Sequence, residues 1–448
     1  MSANVHGPLY GVLLHYWGGL AGDSEWAMRL PSVVFGTATV PALAWMSGRW
    51  LGRDTKVPAA WLAAGSPFLV WYSQEARNYS LLLLCVTLAA GALLELERRL
   101  AVGRLLGLLA AVIAGLLSNL SFLLLAPVYL WWWITAREQR GRRLLILGLA
   151  ALVLVAAMVP WLPQLRESWD WKRLHPAGPV STESLRHGPA ITLAAYPFTF
   201  HAFAVGYTLG PSIREMRTAG AARAVRRHLP ELAWTGALFL VLVALAARAA
   251  VRRKAVATAL LAIALPALFV SYGALQNFKV YHPRYVAVSF PFLLALMAAG
   301  LADLKPRARA LLAGAIALTW LVSLEHHFFV PAYGKEDMRT AAAWMKARLG
   351  PRDRIVAAGA DEVIIYYYRG PLTIGRFWLG WAATPGKMAA RLDDARRGAD
   401  AVWVVWSRGE DLDPEGRFLG SLRKDFPAAD HLSTEGVEIW RLPGKAGP

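Results

Sequence analysis

Long blocks of apolar residues, separated by short polar stretches, fill most of the chain between residues 31 and 330. Backbone polar groups cannot stay unpaired in lipid, so an apolar block of bilayer-crossing length is expected to be helical. The pattern predicts about ten spans, near residues 31–48, 57–73, 79–95, 105–117, 121–135, 144–163, 231–250, 255–275, 286–302 and 310–329. We separate the fourth from the fifth because the polar residues Ser118, Asn119 and Ser121 favour a tight turn. The chain is therefore predicted to be a mainly α, polytopic transmembrane bundle.

Residues 331–448 have the mixed composition of an ordinary soluble domain. Asp337 is placed to cap a helix that runs to Leu349. Four candidate strands follow at Arg354–Ala358, Val363–Tyr368, Ala401–Trp406 and Val437–Leu442. We therefore expect a membrane domain over residues 1–330, with a long outer loop at 164–230, and a small C-terminal α/β extramembrane domain over residues 331–448.

Basic residues fall in every second connection between the predicted spans. They are Arg49, Arg53, Lys56, Arg98, Arg99, Arg104, Arg137, Arg140, Arg142, Arg143, Arg248, Arg252, Arg253, Lys254, Lys305, Arg307 and Arg309. The positive-inside rule places these connections in the cytoplasm, and the alternate connections and the C-terminal domain on the outer side of the membrane. The stretch Ile191–Gly210 is apolar enough to cross, but a crossing would move the last two basic connections outside. We predict a half-buried interfacial helix there.

Composition excludes some classes of protein. The chain of 448 residues is 56% hydrophobic and 17% charged, whereas a soluble domain is nearer a quarter charged. Its net charge of +18 would suggest nucleic acid in a soluble protein, but here the cations lie beside apolar blocks, so no nucleic-acid partner is expected. A single cysteine, Cys85, excludes an intramolecular disulfide, and Glu325-His326-His327 has no obvious third ligand for a metal. No basic stretch typical of a signal peptide precedes the first apolar block.

Three polar clusters at the outer ends of spans could carry chemistry. They are His6 to Tyr10, Tyr72 to Tyr79, and Lys279 to Tyr285. The cationic side chains of Arg77, Lys279, His282 and Arg284 are suited to a lipid phosphate. Glu75 can act as a general base on an acceptor hydroxyl. In the alternative interpretation, Glu75 and Arg77 only pair with each other, and Arg284 only anchors a helix end.

The clusters resemble motifs of the dolichyl-phosphate-mannose protein mannosyltransferase superfamily, in its bacterial branch with the aminoarabinose transferases. The matching stretches are His6-Gly7-Pro8-Leu9-Tyr10, similar to H-P-P-L-Y; Glu25 to Ser32, similar to S-E-x-x-x-R-L-P-S; Ser66-Pro67-Phe68 with Tyr72 to Tyr79, similar to S-P-F and Y-S-Q-E-A-R-x-Y; Pro283-Arg284-Tyr285, similar to P-R-Y; and Glu336 to Arg339, similar to the opening of the C-terminal domain. The resemblance covers nearly the whole chain, and the run from Tyr72 to Tyr79 is its most specific part.

The resemblance implies the GT-C fold and an inverting sugar transfer from a polyprenyl-phosphate donor to a lipid, polysaccharide or protein acceptor at the outer face. No cofactor is expected, because a polyprenyl phosphate is an adequate leaving group once cations neutralise its charge. His6 matches a position near a phosphate-contacting lysine of the aminoarabinose transferases, and Glu75 lies near a second acidic position of the family. The implied substrate-binding residues are His6, Arg77, Tyr79, Lys279, His282, Arg284 and Tyr285.

One departure from the family pattern is that its first span and principal acid would precede His6, where this sequence has only five residues. Either the sequence begins too late, which we favour, or the protein lacks the usual base and is inactive. Two other classes stay open. A transporter of lipid-linked sugars would show inverted repeats and helices broken at the midplane, and neither is visible. A non-catalytic scaffold would bind a partner through its outer domain.

Overall fold

The computed structural model describes residues 7–98, 101–135, 140–164, 166–167, 191–275, 281–359, 361–379, 383–413 and 415–445. The candidate residues His6 and Lys279 lie outside this described part. The chain forms two compact units. Among the described residues, the first takes in those within 7–167, 191–207 and 230–323, and the second takes in those within 208–229 and 324–445. Residues 208–229, from the predicted outer loop, are thus grouped with the C-terminal region.

Helices dominate the first unit. Its N-terminal half contains Pro8–Ala21, Glu25–Trp50, Lys56–Gly65, Pro67–Ser73, Tyr79–Arg98, Val102–Ser118, Ala126–Thr135 and Arg140–Met158, with 3-10 turns at Arg53–Thr55, Leu120–Leu125 and Val159–Trp161. Its later part contains Ala195–Val205, Leu229–Arg252, Val256–Leu275 with a π-helical stretch at Leu260–Ala264, a 3-10 segment at Pro283–Ser289, Phe290–Ala302 and Pro306–Phe329.

Six helices in the described part are long and apolar enough to cross a membrane. They are Glu25–Trp50, Tyr79–Leu96, Leu229–Arg252, Val256–Leu275, Pro283–Ala302 and Pro306–Phe329. Shorter apolar helices occupy Val102–Ser118, Leu120–Thr135 and Ala151–Gln164. The prediction of a mainly helical, multi-pass membrane protein is confirmed, although fewer helices reach full length than the ten spans predicted.

The predicted span at 57–73 is broken into two helices. Ser66 adopts an extended conformation and its hydroxyl accepts a hydrogen bond from the Leu69 N–H (3.3 Å), which caps the second helix. Pro67 follows as the first helical residue, where its missing N–H costs no hydrogen bond and its ring disfavours helical geometry at Ser66. The apolar pattern did not reveal this break.

Two other predictions about the helices agree with the structure. A helix ends at Ser118 and the extended Asn119 accepts a hydrogen bond from the Ser121 N–H (2.9 Å), so the predicted turn is confirmed. Within Ile191–Gly210 only the 11 residues Ala195–Val205 are helical. At 1.5 Å per residue they extend about 16 Å, which is short of a hydrocarbon core of about 30 Å.

The two most buried of the six long helices start at the predicted functional clusters. In the apolar stretch of Tyr79–Leu96, 89% of the residues are buried, and in that of Pro283–Ala302, 83% are buried. In each of the other four helices the share is 44% or less. The first begins directly after the Glu75–Asn78 turn, and the second begins next to His282. The packing of these two helices therefore fixes the backbone positions of the second and third polar clusters.

The second unit contains a five-stranded mixed sheet. Its strands are β1 (Arg354–Ala358), β2 (Ile374–Arg376), β3 (Ala401–Ser407), β4 (Asp430–Thr434) and β5 (Val437–Pro443), in the order β2-β1-β3-β5-β4. β1 runs parallel to β2 and β3, whereas β5 is antiparallel to β3 and β4. Its helices are Ile213–Thr218, Ala221–Arg227, Met338–Lys346, Asp361–Tyr368, Pro385–Arg396, Gly409–Leu412 and Arg417–Asp425. The α/β prediction for the C-terminal region is confirmed.

One predicted strand of this unit is wrong, because residues Asp361–Tyr368 form a helix. Ile364 and Tyr368, four residues apart, are buried, whereas Val363 and Ile365 are 38% and 51% exposed. That spacing is the apolar stripe of a helix, and it overrides the strand propensity of the run. The capping prediction is confirmed, since the Asp337 carboxylate accepts a hydrogen bond from the Thr340 N–H (3.1 Å), although the helix ends at Lys346.

Candidate functional site

The first part of the site is the tight turn between helices Pro67–Ser73 and Tyr79–Arg98. The Arg77 N–H donates to the Glu75 carbonyl (2.7 Å), which folds the turn back on itself. The Trp71 indole N–H donates to the Glu75 carboxylate (Nε1 to Oε1, 3.1 Å). The Arg77 guanidinium lies over the ring of Tyr79, with its central carbon 5.5 Å from the ring centroid. Local contacts therefore hold the Glu75 carboxylate and the Arg77 guanidinium at the same helix junction.

The N-terminal cluster is joined to this turn by hydrogen bonds. The Tyr10 and Ser32 hydroxyls lie 2.5 Å apart, and the Ser32 hydroxyl donates to the Arg77 carbonyl (3.3 Å). Burial raises the pKa of Tyr10, its hydrogen bond to Ser32 lowers it, and the negative charge of Glu75 raises it again. Tyr10 therefore lies within electrostatic range of the Glu75 carboxylate.

A group of tyrosines connects the turn with the third cluster. Tyr72 and Tyr79 are almost fully buried, with ring centroids 5.0 Å apart. Tyr207, which follows the short helix Ala195–Val205, places its hydroxyl 3.0 Å from that of Tyr72. The ring of Tyr207 lies 5.3 Å from that of Trp71 and 5.9 Å from that of His282. Tyr207 thus contacts residues from both clusters.

Arg284 supplies the main cation of the third cluster. The His282 ring accepts a hydrogen bond from the Arg284 backbone N–H (Nδ1 to N, 3.3 Å), and the Arg284 guanidinium lies 5.3 Å from the centroid of the Tyr285 ring. The Arg284 Nε atom is buried and has no hydrogen-bond partner among the described residues. A buried guanidinium N–H of this kind is available to an anionic ligand.

Charged residues of both clusters influence Tyr207. Burial raises the pKa of Tyr207 above its usual value of 10.0 and its hydrogen bond with Tyr72 lowers it. The positive charge of Arg284 lowers the same pKa and the negative charge of Glu75 raises it. Both side chains therefore lie within electrostatic range of a single phenol.

Comparison with known proteins agrees with this arrangement. Residues 5–163 match the model of the dolichyl-phosphate-mannose-protein mannosyltransferase family. The solved structure of ArnT from Cupriavidus metallidurans in the apo state covers 98% of this chain and 87% of its own, at 15% identity and a TM-score of 0.56. The chain has the GT-C fold. The resemblance predicted from the sequence is thereby confirmed.

Two further structures share this GT-C fold. ArnT from Cupriavidus metallidurans bound to undecaprenyl phosphate matches at 16% identity and a TM-score of 0.55, over 99% of this chain and 89% of its own. The archaeal oligosaccharyltransferase AglB from Archaeoglobus fulgidus, in complex with an inhibitory peptide and a dolichol-phosphate, matches at 12% identity and a TM-score of 0.55. That match covers 98% of this chain and 66% of AglB. No curated protein matches the sequence significantly.

Most of the predicted site residues of this GT-C chain are brought together. Six of the predicted residues are described, and they surround the Tyr72–Tyr207 pair: Glu75, Arg77, Tyr79, His282, Arg284 and Tyr285. The role of each stays a prediction. Sequence reasoning missed Tyr207, because it lies in the long loop, far in sequence from both clusters and outside every motif.

An apolar cavity of about 400 Å³ opens within the same unit of the GT-C fold. Its walls come from helices Ala195–Val205, Leu229–Arg252 and Val256–Leu275, and from the segment that carries Arg284. Small residues such as Ala246 and Ala250 leave the space open, while Tyr281 and Ser289 line it on the side of the third cluster. The Thr199 hydroxyl donates to that of Tyr281 (3.0 Å). The cavity therefore lies between apolar helices, and one of its walls comes from the segment that carries Arg284.

Proposed function

We propose that this chain is a membrane glycosyltransferase that takes a sugar from a polyprenyl-phosphate lipid and transfers it, with inversion, to an acceptor. The observation that carries the proposal is that Tyr207 lies against both Trp71, which donates to the Glu75 carboxylate, and His282, which accepts from the Arg284 backbone N–H. A carboxylate can take the proton of an acceptor hydroxyl, and a buried guanidinium can stabilise the phosphate that leaves the sugar. The match with the mannosyltransferase family supports the same reaction class.

Each ionised group has a distinct part in the proposed step. The acceptor oxygen attacks the anomeric carbon while the bond from that carbon to the phosphate oxygen breaks. Glu75 takes the acceptor proton, and the polyprenyl phosphate leaves with the bonding electron pair. Arg284 and Arg77 stabilise the negative charge of the leaving phosphate, with His282 beside them. His6 and Lys279 are further candidates for the phosphate, from the sequence motifs alone.

The lipid part of the donor suits the rest of the first unit. The apolar cavity adjoins the segment that carries Arg284, so an isoprenoid chain can lie in it while its phosphate reaches the guanidinium. A bound polyprenyl phosphate is present in the similar ArnT structure, and a dolichol-phosphate in that of AglB. We place the site at the outer face of a bacterial inner membrane, with a lipid, polysaccharide or protein as acceptor, because the basic connections lie at the other ends of the helices.

Binding and transfer, measured separately on the full chain in lipid nanodiscs, test this proposal. Undecaprenyl phosphate serves as the binding probe, and its release from an undecaprenyl-phosphate sugar reports transfer. We expect Arg284→Ala to weaken probe binding about tenfold or more and Arg284→Lys to restore part of it. Glu75→Gln should keep binding within about threefold and reduce transfer by about a hundredfold or more.

The matched control is Arg307→Ala, which removes an exposed arginine beyond the opposite end of helix Pro283–Ala302. It should change neither readout. Wild-type binding that is insensitive to Arg284→Ala would contradict the phosphate role. Movement of the donor across the bilayer with its sugar–phosphate bond intact would instead identify a transporter.

A further inference from the structure

Tyr207 has a place in the site that no sequence motif indicates. Tyr72 is only 2% exposed, and Tyr207 supplies the one hydrogen-bond partner of its hydroxyl within the described part of the chain. If Tyr207 donated this bond, the Tyr72 proton would remain buried without an acceptor, at a substantial cost. Tyr72 therefore donates to the Tyr207 oxygen, and the Tyr207 proton is directed elsewhere.

The backbone before Tyr207 is held by side chains from another helix. The Trp320 indole N–H donates to the Ala204 carbonyl (2.7 Å), and the Ser323 hydroxyl donates to the Val205 carbonyl (2.5 Å). These carbonyls belong to the last turn of helix Ala195–Val205, where no partner within the helix exists. Both donors are buried, and the Trp320 ring stacks on that of Trp61 at 5.5 Å.

Gly206 completes this arrangement. Its φ of +77° favours glycine, and a Cβ atom there would lie 2.9 Å from the Pro67 side chain. The chain thus turns sharply between the capped helix end and Tyr207. The backbone thus sets the position of the Tyr207 ring, which lies against the rings of Trp71 and His282.

We propose that the Tyr207 hydroxyl, oriented by Tyr72, donates a hydrogen bond to the phosphate group of the lipid donor beside Arg284. This inference rests on the proposed function and adds a neutral donor to it. Tyr207 is partly exposed, whereas Tyr72 is buried. Tyr207 also lies within electrostatic range of Arg284. A phenol that already accepts one hydrogen bond is a stronger donor for the next, because such bonds polarise one another. Tyr72 acts on the phosphate only through Tyr207 and is a positioning residue.

Four variants in the same nanodisc binding assay test the inference. With undecaprenyl phosphate as probe, Tyr207→Phe should weaken binding about tenfold, since it removes a hydrogen bond to a charged group. Tyr72→Phe should weaken it by only a few-fold, and the double variant should match Tyr207→Phe alone, because both substitutions break one chain of donors. Tyr129→Phe is the control, since it removes a buried phenol oxygen that has no partner in the described part of the chain.

Comparing the losses of probe binding with the unfolding midpoints distinguishes a phosphate-binding role of Tyr207 from a purely structural one. Thermal unfolding midpoints of Tyr207→Phe and the wild type should agree closely, so that the loss lies in binding. Equal affinities of wild type and Tyr207→Phe, with Arg284→Ala still defective, would overturn the inference and leave the proposed function standing. Additive losses in the double variant would show that the phenols act independently, and would also overturn it. A wild-type chain that does not bind the probe would overturn both.

Discussion

Gly7 stands where the similar family motif has its first proline, and the structure gives the physical reason. The Gly7 N–H donates to the Ser118 carbonyl (3.0 Å), a bond that proline cannot make. A Cβ atom at this position would lie 1.9 Å from the Leu117 carbonyl oxygen. The glycine therefore allows two backbone segments to meet beside Tyr10. The sequence shows the departure from the motif, but not the contact that explains it, because the partner lies more than a hundred residues away.

Gly7→Ala should therefore destabilise the chain by about 2 kcal/mol, because one backbone must move away from the other. The measurement is the thermal unfolding midpoint in detergent, compared with that of the wild type. Gly11→Ala is the matched control: Gly11 is exposed in the next helical turn, and a Cβ atom there would meet nothing within 4 Å. That change should stabilise the helix by about 0.5–1 kcal/mol. Equal shifts in the same direction would contradict the close approach.

Residue chemistry selects the candidate site residues but not the partners that hold them. Glu75, Arg77 and Arg284 stand out in sequence because ionisable residues at the ends of apolar spans tend to be functional. Tyr207 gives no such signal, since a tyrosine in an apolar stretch is ordinary. Only the folded chain shows that its hydroxyl meets that of Tyr72.

At the scale of elements, some features follow from the local sequence and others do not. The helices on either side of Asn119 follow from the polar residues between them, and β1 has the predicted bounds. The break at Ser66–Pro67 does not follow from the apolar pattern, because the capping of the second helix produces it. The helix Asp361–Tyr368 does not follow from strand propensity, because burial of one face favours a helix. The local sequence contains both the apolar pattern or strand propensity and the capping or burial signal, but it does not show which one prevails.

An ion pair between elements makes the second unit sensitive to acid. Burial alone would raise the pKa of Glu336, but the charge and hydrogen bond of Arg408 (Nε to Oε1, 2.5 Å), with the nearby Arg214, keep it below its usual value of 4.5. The unfolded chain therefore binds a proton more readily than the folded one. The stabilisation should be complete above about pH 4.5 and be lost as the pH falls through the lowered pKa.

Arg408→Ala should remove much of this pH dependence along with the ion pair. The measurement is amide hydrogen exchange in β3 and β5 of the full chain, between pH 7 and pH 3, corrected for the intrinsic effect of pH on exchange. Arg352→Ala is the control, because the Arg352–Asp400 pair is 77% and 49% exposed and such pairs contribute little. Parallel pH profiles for the wild type and Arg408→Ala would contradict this assignment.

At the scale of the whole molecule, the unit that contains the sheet also includes part of the predicted outer loop. Residues 208–229 belong to the unit that contains the sheet. An ion pair between Arg214 and Glu435 joins this segment to the turn before β5. A contact between residues more than two hundred positions apart leaves no trace in local composition, so the sequence placed the segment with the membrane domain.

The alternation of charge along the connections predicts on which side each one lies, and the single cysteine makes this testable. Cys85 is the only cysteine and is buried, so a membrane-impermeant maleimide should label the wild-type chain weakly in intact cells. Ala76→Cys, beside the candidate site, and Ser433→Cys, on exposed strand β4, should be labelled without permeabilisation, since the proposed orientation places both outside. Arg307→Cys lies in a basic connection and should react only after the membrane is opened. Labelling of Arg307→Cys in intact cells, with protection of the other two, would reverse the orientation and place the proposed sugar transfer on the cytoplasmic side.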